Sequence, residues 1–115
     1  MDFKDSAEKN VNHFELMKTF IKKILELKKN RDRLAYLKQI KNKEIDFISE
    51  IILNFIKKRI PVDYQNFSRL KRIEHFMKEF IKNKKAYKLK KKLILSLKGL
   101  YLLSVLFPLA LKVIS

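Results

Sequence analysis

The 115-residue sequence contains no cysteine, which excludes several kinds of site. Without thiols there is no disulfide framework, no thiolate zinc site and no thiol nucleophile. The single glycine, Gly99, does not suffice for the glycine-rich loop that holds phosphates in nucleotide hydrolases. The only histidines, His13 and His75, have no acid, serine or cysteine partner at a recognisable spacing. We therefore expect a non-enzymatic protein with no cofactor and no metal.

Three acidic residues near the middle of the chain are the remaining candidates for a metal or acid/base cluster. Asp46 and Glu50 are one helical turn apart, and Glu44 precedes them. Glu44 and Asp46 also fall in the first turn of a predicted helix, where the helix dipole favours negative charge. Dipole complementarity and pairing with nearby lysines explain these acids without any chemistry.

Acidic residues are scarce overall and missing from one end of the chain. The sequence has 28 Lys and Arg against 12 Asp and Glu, a formal net charge of +16, and no acid follows Glu79. Such a charge attracts phosphate backbones or anionic lipid headgroups, because each neutralised phosphate releases counterions. An AT-rich coding sequence also raises the lysine content, but it does not by itself remove acids from one end. A polyanionic partner is the interpretation that we favour.

The densest positive charge lies in residues 82–92, where seven of eleven residues are lysine. We call this segment, together with the basic residues of the preceding predicted helix, the basic ridge; its members are Arg69, Lys71, Arg72, Lys78, Lys82, Lys84, Lys85, Lys88, Lys90, Lys91 and Lys92. A run of charge is often only a solvated helix face, but this one has no acids to offset its self-repulsion. Lysine outnumbers arginine, whereas bidentate base readout favours arginine. The ridge therefore predicts sequence-independent binding of double-stranded DNA.

Few glycines and prolines, and many Lys, Leu, Glu and Ile residues, predict an all-α protein. Apolar residues at steps of three and four indicate a small bundle of about four to six helices with an apolar C-terminal helix. The predicted helices begin near Ser6 and then cover residues 32–41, 43–58, 64–83 and 86–98, with Asp63 as an N-cap, Pro61 as a helix stop and Gly99 as a C-terminal cap. We divide the chain into a basic helical domain, 1–99, and an apolar C-terminal tail, 100–115.

The tail has two alternative interpretations besides burial in the bundle. Its apolar run over residues 100–111 would form a helix of roughly 18 Å, short of a bilayer core of about 30 Å. Extension back to residue 93 gives a sufficient length but includes the charge of Lys98. The tail would then contact an anionic membrane surface, or a partner protein or second copy of the chain, which makes an oligomer an open alternative. The candidate contact residues are Leu100, Leu103, Leu106, Phe107 and Leu111.

From residue 30 to residue 111 the chain resembles, in order, a family of short lysine-rich proteins encoded by Polinton/Maverick elements and the related adintoviruses. A helix with an acidic start, here 43–56, runs into a turn of the type N-I-L-x-x-x-x-P, here Asn54, Phe55 and Ile56 followed by Ile60, Pro61 and Val62. A basic helix follows, here 69–82. A lysine block then leads to an element of the type K-K-K-x-L-L-x-x-K-G, here residues 90–99, and to an apolar tail that contains Pro108.

The resemblance implies a role and no chemistry. It implies a virion-associated protein of a double-stranded DNA virus or virus-like element, similar to the adenovirus minor core proteins that help to condense the genome. The location that it implies is the virion or the host nucleus, and another virion protein becomes a further possible partner. The polar, mixed-charge residues 1–10 do not have the pattern of a secretory signal, which also favours an intracellular location.

Overall fold

A computed structural model describes residues 11–82 and 84–114, and within these ranges the chain forms seven α-helices and no strand. In chain order the helices are α1 Val11–Glu26, α2 Asn30–Leu37, α3 Asn42–Ile56, α4 Tyr64–Lys71, α5 Glu74–Lys82, α6 Tyr87–Ile94 and α7 Leu97–Ile114. The predicted all-α class and apolar C-terminal helix are confirmed. The predicted start of the first helix, near Ser6, lies outside the described residues.

The described residues form seven helices, more than the four to six that were predicted, because one predicted helix is divided into two. The segment 64–83 is interrupted at Arg72 and Ile73, which separate α4 from α5. The N–H of Ile73 donates to the carbonyl of Leu70 at 3.1 Å, an i to i−3 bond that tightens the turn and redirects the chain. The predicted N-cap of α4 is confirmed, since Asp63 Oδ1 accepts a hydrogen bond from the N–H of Asn66 at 3.1 Å.

The end of α3 differs from the prediction that Pro61 stops this helix. The helix ends at Ile56, and Lys58 adopts a left-handed conformation with φ of 60°. The N–H of Lys58 donates to Phe55 and the N–H of Arg59 donates to Asn54, both at 2.9 Å. These two bonds form a Schellman motif, a C-terminal cap that usually has glycine where this chain has Lys58.

Gly99 is not a C-terminal cap, so that prediction is wrong. The residue is buried in the first turn of α7, and its N–H donates to the hydroxyl of Ser96, the N-cap of this helix, at 3.1 Å. A Cβ atom at this position would lie 2.5 Å from the carbonyl oxygen of Ile94 and 2.6 Å from that of Leu93. Glycine is needed because α6 and α7 join by a tight turn whose backbone leaves no room for a side chain.

The core of the bundle is built around α7, which packs more extensively against α1 than any other described pair of helices does, and which also contacts α4 and α6. Helix α3 packs against α1, α5 and α6. The buried apolar side chains of α1 and α3 belong to the same core, as their three-and-four spacing predicted; they include Met17, Ile21, Ile24, Ile45, Ile48, Ile51 and Ile52. Helix α7 begins at Leu97, before the predicted domain boundary at residue 99. Its side chains belong to the same apolar cluster as those of the basic helices.

A buried arginine links α2 to both of the helices that form this centre. Arg33 is only 8% exposed. Its Nε donates to the carbonyls of Ile24 and Leu27 at the C-terminal end of α1, and its guanidinium also donates to the hydroxyl of Ser104 on α7 at 2.7 Å. A positive charge at a helix C-terminus is favourable, because it complements the helix dipole and satisfies carbonyls that have no helical partner.

Candidate nucleic-acid interface

The basic ridge divides into exposed residues and residues that the bundle itself uses. All of its members except Lys90 and Lys91 are exposed. Within the run 82–92 the exposed members are Lys82, Lys84, Lys85, Lys88 and Lys92, which extend from the end of α5 through the connecting turn to α6. Their ammonium groups make no ion pair with any acid in the described parts of the chain.

Lys90 is in the interior, with 2% of its surface exposed. Its ammonium group donates to the hydroxyl of Ser49 at 2.9 Å and to the carbonyl of Lys84 at 3.1 Å, and it lies 5.5 Å from the ring centre of Phe80. Burial lowers the pKa of Lys90, an effect that the carboxylate of Asp46 opposes. This side chain joins α6 to α3 and is not available to a ligand at the surface.

Three other lysines of the ridge have partners within the protein. The half-buried Lys91 donates to the carbonyl of Ile40 at 3.0 Å. Lys71 and Lys78 both pair with Glu74, at 2.6 and 2.9 Å. The hydrogen bonds from these two lysines lower the pKa of Glu74 to about 2. The ridge therefore offers fewer unpaired positive charges than its sequence suggests.

The three central acids point to separate partners and do not form one cluster. Glu50 accepts a hydrogen bond from His13 Nε2 at 2.7 Å, and Asp46 accepts one from the hydroxyl of Tyr87 at 3.1 Å. This hydrogen bond, together with burial, raises the pKa of Tyr87. Glu44 accepts the main-chain N–H three residues before it. Among residues 11–82 and 84–114 no group of three or more His, Cys, Asp or Glu residues is arranged to hold a metal.

Two of these interactions were missed by sequence reasoning. His13 and Glu50 are 37 residues apart, so their contact depends on how α1 packs against α3. The burial of Lys90 did have a local signal, because it lies three residues after Tyr87 and four before Ile94, on the face of α6 that turns inward. That spacing was overlooked because most of the neighbouring residues are also lysines.

The candidate contact residues of the tail lie within the bundle. In α7 the buried members are Leu100, Leu103, Leu106 and Phe107, and Leu111 is partly buried. Of the described helices, α7 alone has the length and apolarity to cross a membrane, with a mean hydropathy of 1.8, and 44% of it is buried inside the protein. Core helices of soluble proteins have the same two properties, so this finding does not locate the protein.

Comparison with known proteins gives no relative: no family model, no curated protein and no solved structure matches the chain. The resemblance to lysine-rich proteins of Polinton elements and adintoviruses stays a prediction.

Proposed function

We propose that this chain is a non-enzymatic protein that binds double-stranded DNA without sequence preference and helps to condense it. The observation that supports the proposal is the set of exposed lysines in residues 82–92, which no acid in the described chain neutralises. The described part of the molecule measures only 35 × 30 × 28 Å, and the whole chain has a formal net charge of +16. A charge of this size on so small a body attracts a phosphate backbone strongly at low salt.

The same proposal assigns the protein to a virus-like double-stranded DNA element, with the virion or host nucleus as its location. The support for this part is the order of sequence elements that resembles the Polinton and adintovirus proteins. Condensation requires charge neutralisation and no base recognition, which agrees with the excess of lysine over arginine.

A salt series tests the proposal. The affinity of the purified protein for an unrelated DNA duplex is measured between 50 and 200 mM salt, and then again for a variant in which four exposed ridge lysines are replaced by glutamine: Lys84, Lys85, Lys88 and Lys92. We expect the slope of log affinity against log salt to become shallower by up to about 3.6, which is about 0.9 for each lost phosphate contact. Absence of duplex binding at 50 mM salt would refute the proposal.

A matched variant separates the contribution of the ridge lysines to DNA binding from that of the net charge. Replacement of Lys22, Lys28, Lys38 and Lys43 by glutamine removes the same charge from exposed positions outside the ridge. We expect this variant to lose less of the salt slope than the ridge variant does. Equal losses would mean that charge as a whole, and not the exposed lysines of 82–92, carries the binding.

A second candidate function, binding to an anionic membrane surface, has its own supporting observation. Leu89, Leu97 and Tyr101 are exposed large hydrophobic side chains, with exposures of 44%, 81% and 41%, and exposed lysines are interspersed with them in the sequence. Apolar side chains beside lysines are typical of helices that lie in a membrane interface. Vesicles of neutral lipid with and without phosphatidylserine test it, since binding that persists at high salt would favour the membrane over DNA.

A further inference from the structure

Tyr64 and Arg69 of α4, together with Arg72 in the turn that follows it, line a surface cavity that the lysines of residues 82–92 do not enter. The cavity has a volume of about 470 Å³ and is lined by Tyr64, Gln65, Ser68, Arg69 and Arg72. These positions are spaced by about four residues, so their side chains occupy one face of α4 and the turn that follows it. The opposite face of the helix is anchored by the buried Leu70. The volume is within the range of small-molecule sites.

The arginines at one end of the cavity provide donors for a phosphate. No carboxylate among residues 11–82 and 84–114 lines the cavity, and Glu74, two residues after Arg72, is already paired with two lysines. The guanidinium of Arg72 makes no hydrogen bond or ion pair with any described residue, and that of Arg69 donates only to Asn66, at 3.3 Å. Guanidinium groups bind phosphate oxygens in pairs of parallel hydrogen bonds, which an ammonium group does not do.

The tyrosine at the other end has no packing role that accounts for it. The side chain of Tyr64 is 87% exposed, the highest value among the large hydrophobic residues whose burial the structure describes. Asp63, which caps α4, lies beside it and disfavours a phosphate there. An aromatic ring that is open to solvent is a surface on which a nucleobase stacks. The two ends of the cavity therefore suit the two ends of a nucleotide.

We infer that this cavity binds an unpaired nucleotide of a single-stranded polynucleotide, with the base stacked on Tyr64 and the phosphate held by Arg69 and Arg72. This inference rests on the proposed binding of nucleic acid and extends it from duplex to single strands or frayed ends. A paired base is already stacked between its neighbours, so a duplex would contact the arginines but not the tyrosine ring. A lipid headgroup or a phosphorylated peptide would likewise use the guanidinium groups alone.

The test compares a 20-nucleotide thymidine oligomer with a duplex of 20 base pairs, by fluorescence anisotropy at one salt concentration. We expect Tyr64→Ala to weaken binding of the single strand about tenfold and that of the duplex less than twofold. Tyr64→Phe keeps the aromatic ring and should bind the single strand as the wild type does. Tyr101→Ala is the matched control, since it removes an exposed tyrosine outside the cavity.

A second readout follows the ring itself. The chain has four tyrosines and no tryptophan, so tyrosine emission is measurable directly. Stacking should quench part of this emission when the single strand is added, and Tyr64→Phe should abolish that part while it retains affinity.

If Tyr64→Ala leaves single-strand binding unchanged while duplex binding is intact, the inference fails and the proposed function stands. If Arg69→Gln and Arg72→Gln weaken binding but Tyr64→Ala does not, the cavity is an anion site without base stacking. Absence of binding to either nucleic acid would overturn both.

Discussion

Replacement of Lys90 distinguishes a structural lysine from a ligand-binding one. Lys90→Ala removes three buried methylene groups, worth about 2.4 kcal/mol at about 0.8 kcal/mol each, and the cavity that remains raises the expected loss to about 2–4 kcal/mol. Lys90→Met keeps the volume of the aliphatic stem. It loses the hydrogen bonds to Ser49 and Lys84 but also the cost of burying a charge, so its stability should lie within about 1 kcal/mol of the wild type.

The assay is urea unfolding followed by far-ultraviolet circular dichroism, paired with the salt dependence of duplex binding. Neither Lys90 variant should change the salt slope, because the ammonium group does not reach the surface. Lys88→Met, at an exposed position two residues earlier, should do the opposite: stability unchanged within about 0.5 kcal/mol and a slope shallower by about 0.9. A slope that falls equally in Lys90→Met and Lys88→Met would refute the reasoning.

The wild type and Lys90→Met should also differ in how their stability depends on pH. The sign of the difference follows from the lowered pKa of Lys90 in the folded state. Between that lowered value and its ordinary pKa of 10.5, the unfolded chain binds more protons at this position than the folded chain does. The free energy of unfolding of the wild type should therefore rise with pH relative to that of Lys90→Met across this interval. Parallel pH profiles for the two proteins would contradict the burial of a charged amine.

Three further predictions concern other contacts. Glu74→Gln should tighten duplex binding and steepen its salt slope by about 0.9 to 1.8, because it frees the two lysines that the carboxylate holds. As the pH falls from 4.5 through about 2, the wild-type carboxylate becomes protonated and its stabilising pairs are lost. Glu74→Gln has no such carboxylate, so it should lose less stability than the wild type over this interval. Arg33→Ala should lower the free energy of unfolding in urea by about 2–4 kcal/mol, since it removes the buried hydrogen bonds from the guanidinium to two carbonyls at the end of α1 and to Ser104. Lys58→Gly should raise the free energy of unfolding by up to about 1 kcal/mol, because glycine adopts positive φ without strain.

Two of these predictions have a control variant, and the third has an outcome that would contradict it. Arg31→Ala removes an equal charge from an exposed position of α2 and should leave stability nearly unchanged. Lys58→Ala removes the charge of Lys58 but keeps a Cβ, so it should not stabilise; equal gains from Ala and Gly would attribute the effect to charge. Unchanged duplex affinity in Glu74→Gln would mean that the freed lysines do not contact DNA.

Much of the fold was predictable because its signals are local. The cap at Asp63 and the apolar spacing of α1 and α3 identify helices and their inward faces from neighbouring residues alone. The break at Arg72 and Ile73 was not predictable in this way, since no glycine or proline marks it. Pro61 was expected to end α3, but the left-handed turn at Lys58 ends it earlier.

The candidate interface was predictable in composition but not in exposure. The charge count identifies residues 82–92, but it does not distinguish exposed lysines from those that face the bundle. Lys90 and Lys91 belong to the second kind. The cavity at Tyr64 carries no sequence motif; it depends on the exposure of one aromatic ring and on the direction of two arginine side chains. Whether the exposed residues meet DNA stays a prediction.

The packing of α7 against α1 has a consequence for how the protein opens. These helices are far apart in the sequence, and together they bury much of the apolar core, so neither can detach without exposing the other to water. Amide protons in the middle of both helices should then exchange with solvent at one common rate, that of global unfolding, while those near the exposed lysines exchange sooner. The surface proposed to bind nucleic acid would thus be able to adjust to a ligand while the centre of the bundle stays closed.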